Sequence, residues 1–143
     1  MNIEGPGYDQ TVQDLFDQAA FVADLGIKLH SIGLGWCETR LEILPRHLQQ
    51  DRFIHAGVQA TMADHTAGAA AGTLMQEGQI VLTVEFKINL LRPAVGESLR
   101  CRGTVLKPGR TLTVAESEVW ASRQGQEKLV AKATVTLALV TQA

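Results

Sequence analysis

The chain has 143 residues, 45% hydrophobic and 20% charged with a formal net charge of −2, so residues 1–143 are predicted to form one globular domain with a buried core. This charge lacks the basic surplus that binds nucleic acids or anionic membranes, and no stretch approaches the ~20 consecutive apolar residues of a spanning helix. The N-terminus has no basic segment followed by an apolar run, so we expect a cytoplasmic protein.

The first 26 residues predict an irregular lead-in followed by one amphipathic helix. Residues 1–8 are rich in Gly and Pro. Apolar side chains then recur at helical spacing as far as Gly26, which favours a helix that buries one face. The apolar positions are Val12, Leu15, Phe16, Ala19, Ala20 and Ala23.

Two segments with alternating polarity after this helix predict neighbouring strands. Residues 27–32 form the first, residues 33–35 interrupt the alternation with two glycines, and residues 36–44 form the second. One face of the second strand carries Cys37, Thr39, Leu41 and Ile43. The opposite, wetter face carries Glu38, Arg40 and Glu42.

Residues 56–71 predict a long central helix, because small residues dominate the segment and no Pro interrupts it. Gly68 and Gly72 would each cost ~1 kcal/mol relative to Ala in an exposed helix. We therefore expect another backbone to pack closely against this helix. The polar connection 45–54 leads into the helix, and loops in such positions often line functional sites.

Asp64 is the one carboxylate in this small-residue helix, and a buried carboxylate must be paired, hydrogen-bonded or functional. Gly57 lies seven residues earlier, on the same helix face and in the first turn. Free N–H groups and the positive end of the helix dipole there stabilise a developing oxyanion. The pair indicates an acyl-transfer site. The alternative is that Asp64 lies on a solvated face of the helix.

The second half of the chain predicts a meander of strands after a turn at residues 76–79. The strands are predicted at 80–91, 99–106, 111–120 and 129–140. The first should direct one apolar face in a single direction, formed by Ile80, Leu82, Val84, Phe86, Ile88 and Leu90. One long helix followed by such strands predicts a sheet curled around the helix, an α+β fold.

Four motifs occur in a characteristic order: His55-Ala56-Gly57, residues 63–67 (Ala-Asp-His-Thr-Ala), residues 83–94 (Thr-Val-Glu-Phe-Lys-Ile-Asn-Leu-Leu-Arg-Pro-Ala) and Gly109-Arg110. Together they resemble the hotdog-fold acyl-CoA thioesterases of the phenylacetate-degradation (PaaI-like) type over residues 27–140. The resemblance implies a hotdog fold, in which a curved antiparallel sheet wraps a long central helix. Two positions depart from the family pattern, since Ala56 replaces the middle Gly of a His-Gly-Gly motif and His65 follows the acid where Thr is usual.

The resemblance implies a catalytic set of residues. Asp64 matches the general base or nucleophile, Gly57 the backbone oxyanion donor, and Thr83 an assisting hydroxyl on the following strand. His55 matches the helix-start histidine, to which we assign a structural role. Gln49 stands near the position of an upstream Asn that completes the site in many members of the family.

Further residues are predicted to bind substrate. Gln50 is the alternative to Gln49 in the loop before the helix. Arg92, Lys107 and Arg110 are candidates for contacts with the phosphates of a CoA tail.

Thioester hydrolysis by a carboxylate and a backbone oxyanion donor needs no metal or organic cofactor. His55, Asp64 and His65 do not form a metal site, because the two histidines lie about 80° apart around the helix axis and no third helix-spaced ligand accompanies them. Cys37 and Cys101 lie in alternating strand segments and are predicted to be buried thiols, neither a disulfide nor a nucleophile.

The spacing of the two catalytic groups predicts an oligomer. Seven residues at ~1.5 Å rise separate Gly57 and Asp64 by roughly 10 Å, too far to act on one carbonyl. Two helices related by a two-fold axis and running antiparallel would bring Gly57 of one chain to Asp64 of the other. The family resemblance implies the same homodimer, and association into a homotetramer stays open.

Two other functions stay open at this point. A hotdog dehydratase or hydratase would also use a His and an acid across a dimer interface, but it spaces them more widely than the nine residues from His55 to Asp64. A non-catalytic acyl-binding module would keep the fold and lose the acid.

Overall fold

The structure is a computed structural model that describes residues 2–3 and 8–142. A curved sheet wraps one long helix, which confirms the predicted α+β hotdog architecture. The elements in chain order are β1 (Asn2–Ile3), α1 (Tyr8–Gln18), α2 (Ala20–Leu25), β2 (Lys28–Gly33), β3 (Trp36–Glu42), a 3-10 helix (Pro45–His47), α3 (Ala56–Gly72), β4 (Gln79–Leu90), β5 (Ser98–Lys107), β6 (Leu112–Arg123) and β7 (Gln126–Thr141).

The sheet has the strand order β1-β2-β3-β5-β6-β7-β4. β1 runs parallel to β2, and every other neighbouring pair is antiparallel. β4 precedes β5 in the chain but lies beyond β7, so it forms one edge of the sheet. That edge is twelve residues long, whereas the opposite edge strand has two.

The sheet packs on α3, and buried hydroxyl groups fix the position of the helix. Thr39 Oγ1 and Thr66 Oγ1 lie 2.7 Å apart, and Ser117 Oγ donates to the Ala63 carbonyl at 2.7 Å. All three hydroxyl-bearing residues are fully buried, so these bonds satisfy polar groups that would otherwise be costly. They hold the helix segment around Asp64 against the sheet.

The close backbone approach expected near the central helix involves a different glycine. A Cβ at Gly103 of β5 would lie 2.8 Å from the Thr66 carbonyl oxygen and 3.1 Å from Ala67 N. The predicted close packing of another backbone against this helix is therefore confirmed, although not at Gly68 and Gly72, whose nearest neighbours are side chains of Leu137 and of α1.

Cys37 and Cys101 are fully buried and unpaired, as predicted. Burial raises the pKa of both thiols, that of Cys101 to about 12. Neither thiol is therefore a nucleophile at neutral pH. No helix among the described residues is long and apolar enough to span a membrane.

The N-terminal region differs from the prediction in two respects. Residues 2–3 form a strand rather than an irregular lead-in, while residues 1 and 4–7 lie outside the described part. The single predicted helix is two helices, because Ala19 leaves the helical conformation with φ −81° and ψ 85°. The break lets both Phe16 and Val22 reach the core.

β4 does not present the single apolar face that its alternation predicts. Its pairing with β7 shifts by one residue between Thr83 and Glu85, so Val84 is bulged. Thr83 pairs with Leu137 and Phe86 pairs with Val135, both of which are buried on the helix side of the sheet. The bulge therefore places Thr83 on the same side as Phe86.

The outer face of β3 is drier than predicted at one position. Glu38 is 9% exposed rather than wet, because two arginines and one histidine surround its carboxylate. Arg100 lies at 3.2 Å, Arg40 at 3.3 Å and His30 Nε2 at 3.8 Å. These contacts replace the water that the glutamate loses on folding.

Candidate active site

The start of α3 leaves one backbone N–H without a partner. The N–H groups of Val58 and Gln59 donate to the His55 carbonyl at 3.0 and 3.3 Å, and the Gly57 N–H donates to His55 Nδ1 at 2.8 Å. The Ala56 N–H bonds to no group in the part of the chain that the structure describes. It lies at the positive end of a 17-residue helix, where an anionic oxygen is stabilised.

His55 is the N-cap of α3, and Gly57 makes this cap possible. A Cβ at residue 57 would lie 3.0 Å from His55 Nδ1, so a side chain there would crowd the imidazole. The expectation was that Gly57 offers its N–H to substrate, but the structure engages that N–H with His55. The unoccupied donor is one residue earlier, at Ala56.

Asp64 and Thr83 are brought together by α3 and β4. Thr83 Oγ1 donates to Asp64 Oδ1 at 2.7 Å, as expected if the two act in one site. Asp64 Oδ2 has no partner among the described residues. The carboxylate is half-buried at the edge of the sheet, so it is both oriented by the hydroxyl and accessible.

The loop before α3 is fixed by a buried histidine and by Gln49. His47 is fully buried and accepts a hydrogen bond from Leu44 N through Nδ1 at 2.9 Å, while its Nε2 lies 2.7 Å from the Leu25 carbonyl. Gln49 Oε1 accepts hydrogen bonds from the Asp51 and Phe53 N–H groups. These contacts hold Gln49 close to the start of the helix.

A cavity of about 580 Å³ opens at the start of α3. Its walls come from the loop before the helix, from the first turn, and from the segment after β4. They comprise Gln49, Phe53, Ile54, His55, Ala56, Gln59, Leu90, Leu91, Arg92, Pro93 and Ala94. Three of the predicted residues, Gln49, His55 and Arg92, therefore meet at one cavity. Gln50 lies next in the loop but is exposed, and its Nε2 donates to Asp51 at 3.2 Å.

Gln59 is a lining residue that the sequence analysis missed. It is 3% exposed, and its Nε2 donates to the Ile54 carbonyl at 3.2 Å, while its Oε1 has no partner. The available signal was a long amide side chain in a helix otherwise built of small residues, one turn after His55.

The remaining predicted residues are divided between the two ends of the helix. Arg92 Nη1 donates to the Leu129 carbonyl at 2.6 Å near the start of α3. Lys107 ends β5 and Arg110 follows it, at the opposite end, where Gly35 N donates to Thr73 Oγ1 at the end of α3. Within one chain, Lys107 and Arg110 are not part of the cavity.

His65 faces away from Asp64 and packs under α1. Its ring makes an edge-to-face contact with Phe16 at a centroid distance of 4.5 Å, and its Nε2 is buried without a partner. Burial lowers the pKa of His65, although the neighbouring Asp64 charge acts in the opposite direction. The residue therefore packs against α1 and does not line the cavity.

The chain is similar to known proteins in both sequence and fold. A family model described as "Thioesterase superfamily" matches residues 52–128. A thioesterase family protein from Silicibacter pomeroyi is 42% identical, covers 95% of this chain and 100% of its own, and superposes with a TM-score of 0.93. A conserved protein from Pseudomonas aeruginosa is 33% identical over 85% of this chain and 94% of its own, with a TM-score of 0.77. The PaaI protein of the Escherichia coli phenylacetic acid degradation operon, 21% identical over 93% of each chain, shares the fold with a TM-score of 0.82.

Proposed function

The chain belongs to the thioesterase superfamily, and we propose that it hydrolyses an acyl- or aryl-CoA thioester to a free acid and CoA. The observation that carries this proposal is the hydrogen-bonded pair of Asp64 and Thr83 on the helix whose start leaves the Ala56 N–H unoccupied. A carboxylate and an oxyanion donor are the two groups that thioester hydrolysis requires, and neither involves a cofactor.

In the proposed reaction the thioester carbonyl oxygen accepts a hydrogen bond from the Ala56 N–H. Asp64 removes a proton from a water molecule whose oxygen attacks the carbonyl carbon, and the C–S bond then breaks as the thiolate takes up the proton. The alternative is direct attack by Asp64 to give an acyl-enzyme that water hydrolyses. Thr83 orients the carboxylate in both cases, and Gly57 keeps His55 in its cap.

The site is proposed to be shared between two chains. Eight residues of α3 separate Ala56 from Asp64, about 12 Å along the helix axis, so the two groups of one chain cannot meet at one carbonyl. β4 carries Thr83 and is a free edge with exposed apolar side chains, among them Val84 at 57% and Phe86 at 40%. Pairing of two such edges about a two-fold axis would set the helices antiparallel, with Ala56 of one near Asp64 of the other.

We also propose a compartment and an assembly for this enzyme. Two unpaired buried thiols fit a reducing compartment, and we place the enzyme in the cytoplasm. The proposed unit is the homodimer, from which a homotetramer could be built.

A panel of aryl-, short- and long-chain acyl-CoA thioesters tests the function, with release of the CoA thiol as readout and the Asp64→Asn variant as blank, alongside assays of enoyl-CoA hydration and of acyl-CoA binding. Thiol release that the variant loses is the expected result. Hydration of an enoyl-CoA without thiol release would instead establish a hydratase. Saturable acyl-CoA binding without turnover would establish an acyl-binding module.

A further inference from the structure

A second cavity, of about 480 Å³, adjoins the one at the start of α3. It lies between the segment after β4 and the end of the β6–β7 hairpin. Its walls are Arg92, Pro93, Val95, Ala121, Arg123, Gln124, Gln126, Lys128 and Val130. Arg92 and Pro93 line both cavities, so a long ligand can pass from one to the other over this segment.

We propose that this second cavity, named here the hairpin cavity, binds the phosphate groups of the substrate's phosphopantetheine-containing carrier through Arg123 and Lys128. The proposal rests on the proposed function and deepens it, since it names the part of the substrate that lies outside the reacting centre. Neither Arg123 nor Lys128 was a candidate in the sequence.

Three cations and no carboxylate line the hairpin cavity. Two acidic residues beside this region, Glu97 and Glu127, bond to none of the three cations. Glu97 Oε1 accepts from Gln124 N at 3.0 Å, and the Glu127 carboxylate bonds to Arg100 at 2.8 Å on the outer face of the sheet. None of the three cations forms a salt bridge with a described carboxylate, so their charges are available to an anionic ligand.

Strand register places the two new cations side by side. Lys128 of β7 pairs with Ala121 of β6, and Arg123 lies two residues further along β6, so both side chains point to the helix side of the sheet. Like charges at such diagonal positions repel each other. An anion between them turns this repulsion into attraction, and an arginine fork with a nearby ammonium matches phosphate oxygens.

The order of groups along the substrate matches the order of the cavities. The thioester at one end of a pantetheine arm would lie at the Ala56 N–H, and the arm would run over Arg92 and Pro93. The phosphates at the other end would then reach the hairpin cavity. Arg92 is held in place for this by its bond to the Leu129 carbonyl.

The test compares three thioesters of the same acyl group, with CoA, with 4′-phosphopantetheine and with pantetheine, which has no phosphate. We expect Arg123→Gln/Lys128→Gln to lower kcat/KM on the CoA thioester by ~10-fold or more, through KM, because charge-assisted hydrogen bonds are lost. On the pantetheine thioester the variant should equal the wild type. The phosphopantetheine thioester separates a contact with the first phosphate, which a carrier protein would also offer, from contacts with the other phosphates of CoA.

The control is Arg40→Gln/Lys132→Gln, which removes the same two charges from exposed positions on the outer face of the sheet. It should leave kcat/KM unchanged on both the CoA thioester and the pantetheine thioester. Melting temperatures verify that all variants fold. An unchanged ratio of CoA to pantetheine activity in the Arg123/Lys128 variant would overturn the hairpin cavity as the phosphate site. If the Lys107→Gln/Arg110→Gln variant instead loses its preference for the CoA thioester over the pantetheine thioester, the phosphate site lies at the other end of the helix. Failure of the wild type to cleave any of the three thioesters would overturn the proposed function itself.

Discussion

Thr83 Oγ1 lies 2.7 Å from Asp64 Oδ1, and this hydrogen bond joins the edge strand to the central helix. The bond exists because Val84 is bulged, which turns Thr83 to the helix side of β4. It occupies one carboxylate oxygen and leaves Oδ2 without a partner in the described chain. A single inserted strand residue thus decides how the Asp64 carboxylate is held.

Replacing Asp64 by Asn tests its role as base or nucleophile. The amide keeps the shape and cannot accept a proton, so kcat should fall by about 10² or more with little change in melting temperature. Thr83→Val is the companion variant, since it removes only the orienting bond and should lower kcat by about tenfold. Turnover near the wild-type rate in Asp64→Asn would remove Asp64 from the mechanism.

Replacing Ala56 by Pro removes the N–H at the start of α3 that bonds to none of the described residues. Pro is well accepted at the first position of a helix, and His55, with φ −60° and ψ 138°, already has the extended conformation that a following Pro requires. We expect kcat to fall by roughly 10²–10³ while the melting temperature is kept.

Gly57→Pro is the matched comparison, because it removes the N–H that caps onto His55 and should also lower the melting temperature. If Ala56→Pro keeps full activity while Gly57→Pro is inactive in its folded form, the oxyanion donor is Gly57, as the sequence alone suggested.

Mixing two inactive variants tests whether the site is shared. An Asp64→Asn chain paired with an Ala56→Pro chain forms one site with both groups intact and one with both defects. Verified mixed dimers should therefore recover about half of the wild-type activity, since one site in two is intact. Absence of recovery, or full activity in a stable monomer, would contradict the shared site.

Replacing His65 by Leu tests the buried imidazole. The pKa of His65 is lowered in the folded protein, so below the unfolded value of 6.5 the unfolded chain binds the proton first and the free energy of unfolding falls. Above that pH the group contributes no such loss. The difference in stability between His65→Leu and wild type should stay constant above about pH 6.5 and grow as pH falls from there to about 5, by at most ~1.4 kcal/mol per unit. Chemical denaturation at several pH values measures it, and parallel curves would show that His65 titrates normally.

Patterns with a strong local cause were predicted well. The central helix was expected at 56–71 and is Ala56–Gly72, because small residues without Pro leave few alternatives. The interruption predicted at residues 33–35 is a turn at Leu34 and Gly35 that joins β2 to β3. The proximity of Asp64 and Thr83 came from the order of motifs rather than from periodicity.

The features that were missed depend on contacts between distant segments. Perfect alternation in β4 conceals the bulge at Val84, since the shift is set by pairing with β7. No Gly or Pro stands at Ala19 to indicate the break between α1 and α2. The state of the Gly57 N–H depends on the rotamer of His55, and the role proposed for Arg123 and Lys128 depends on a strand register that no local pattern encodes.

The free edge of β4 also governs how the newly made chain behaves before it meets a partner. β4 pairs with β7 along one side only, and its other edge, twelve residues long with exposed Leu82, Val84 and Phe86, is a template for pairing with any extended chain nearby. Glu85 and Lys87 are exposed on the same strand and counter this by placing charge beside it. The yield of native protein therefore depends on whether specific association of two chains is faster than precipitation. We expect substitutions that neutralise those two charges to increase the fraction of the chain found in inclusion bodies, although neither residue belongs to the proposed site.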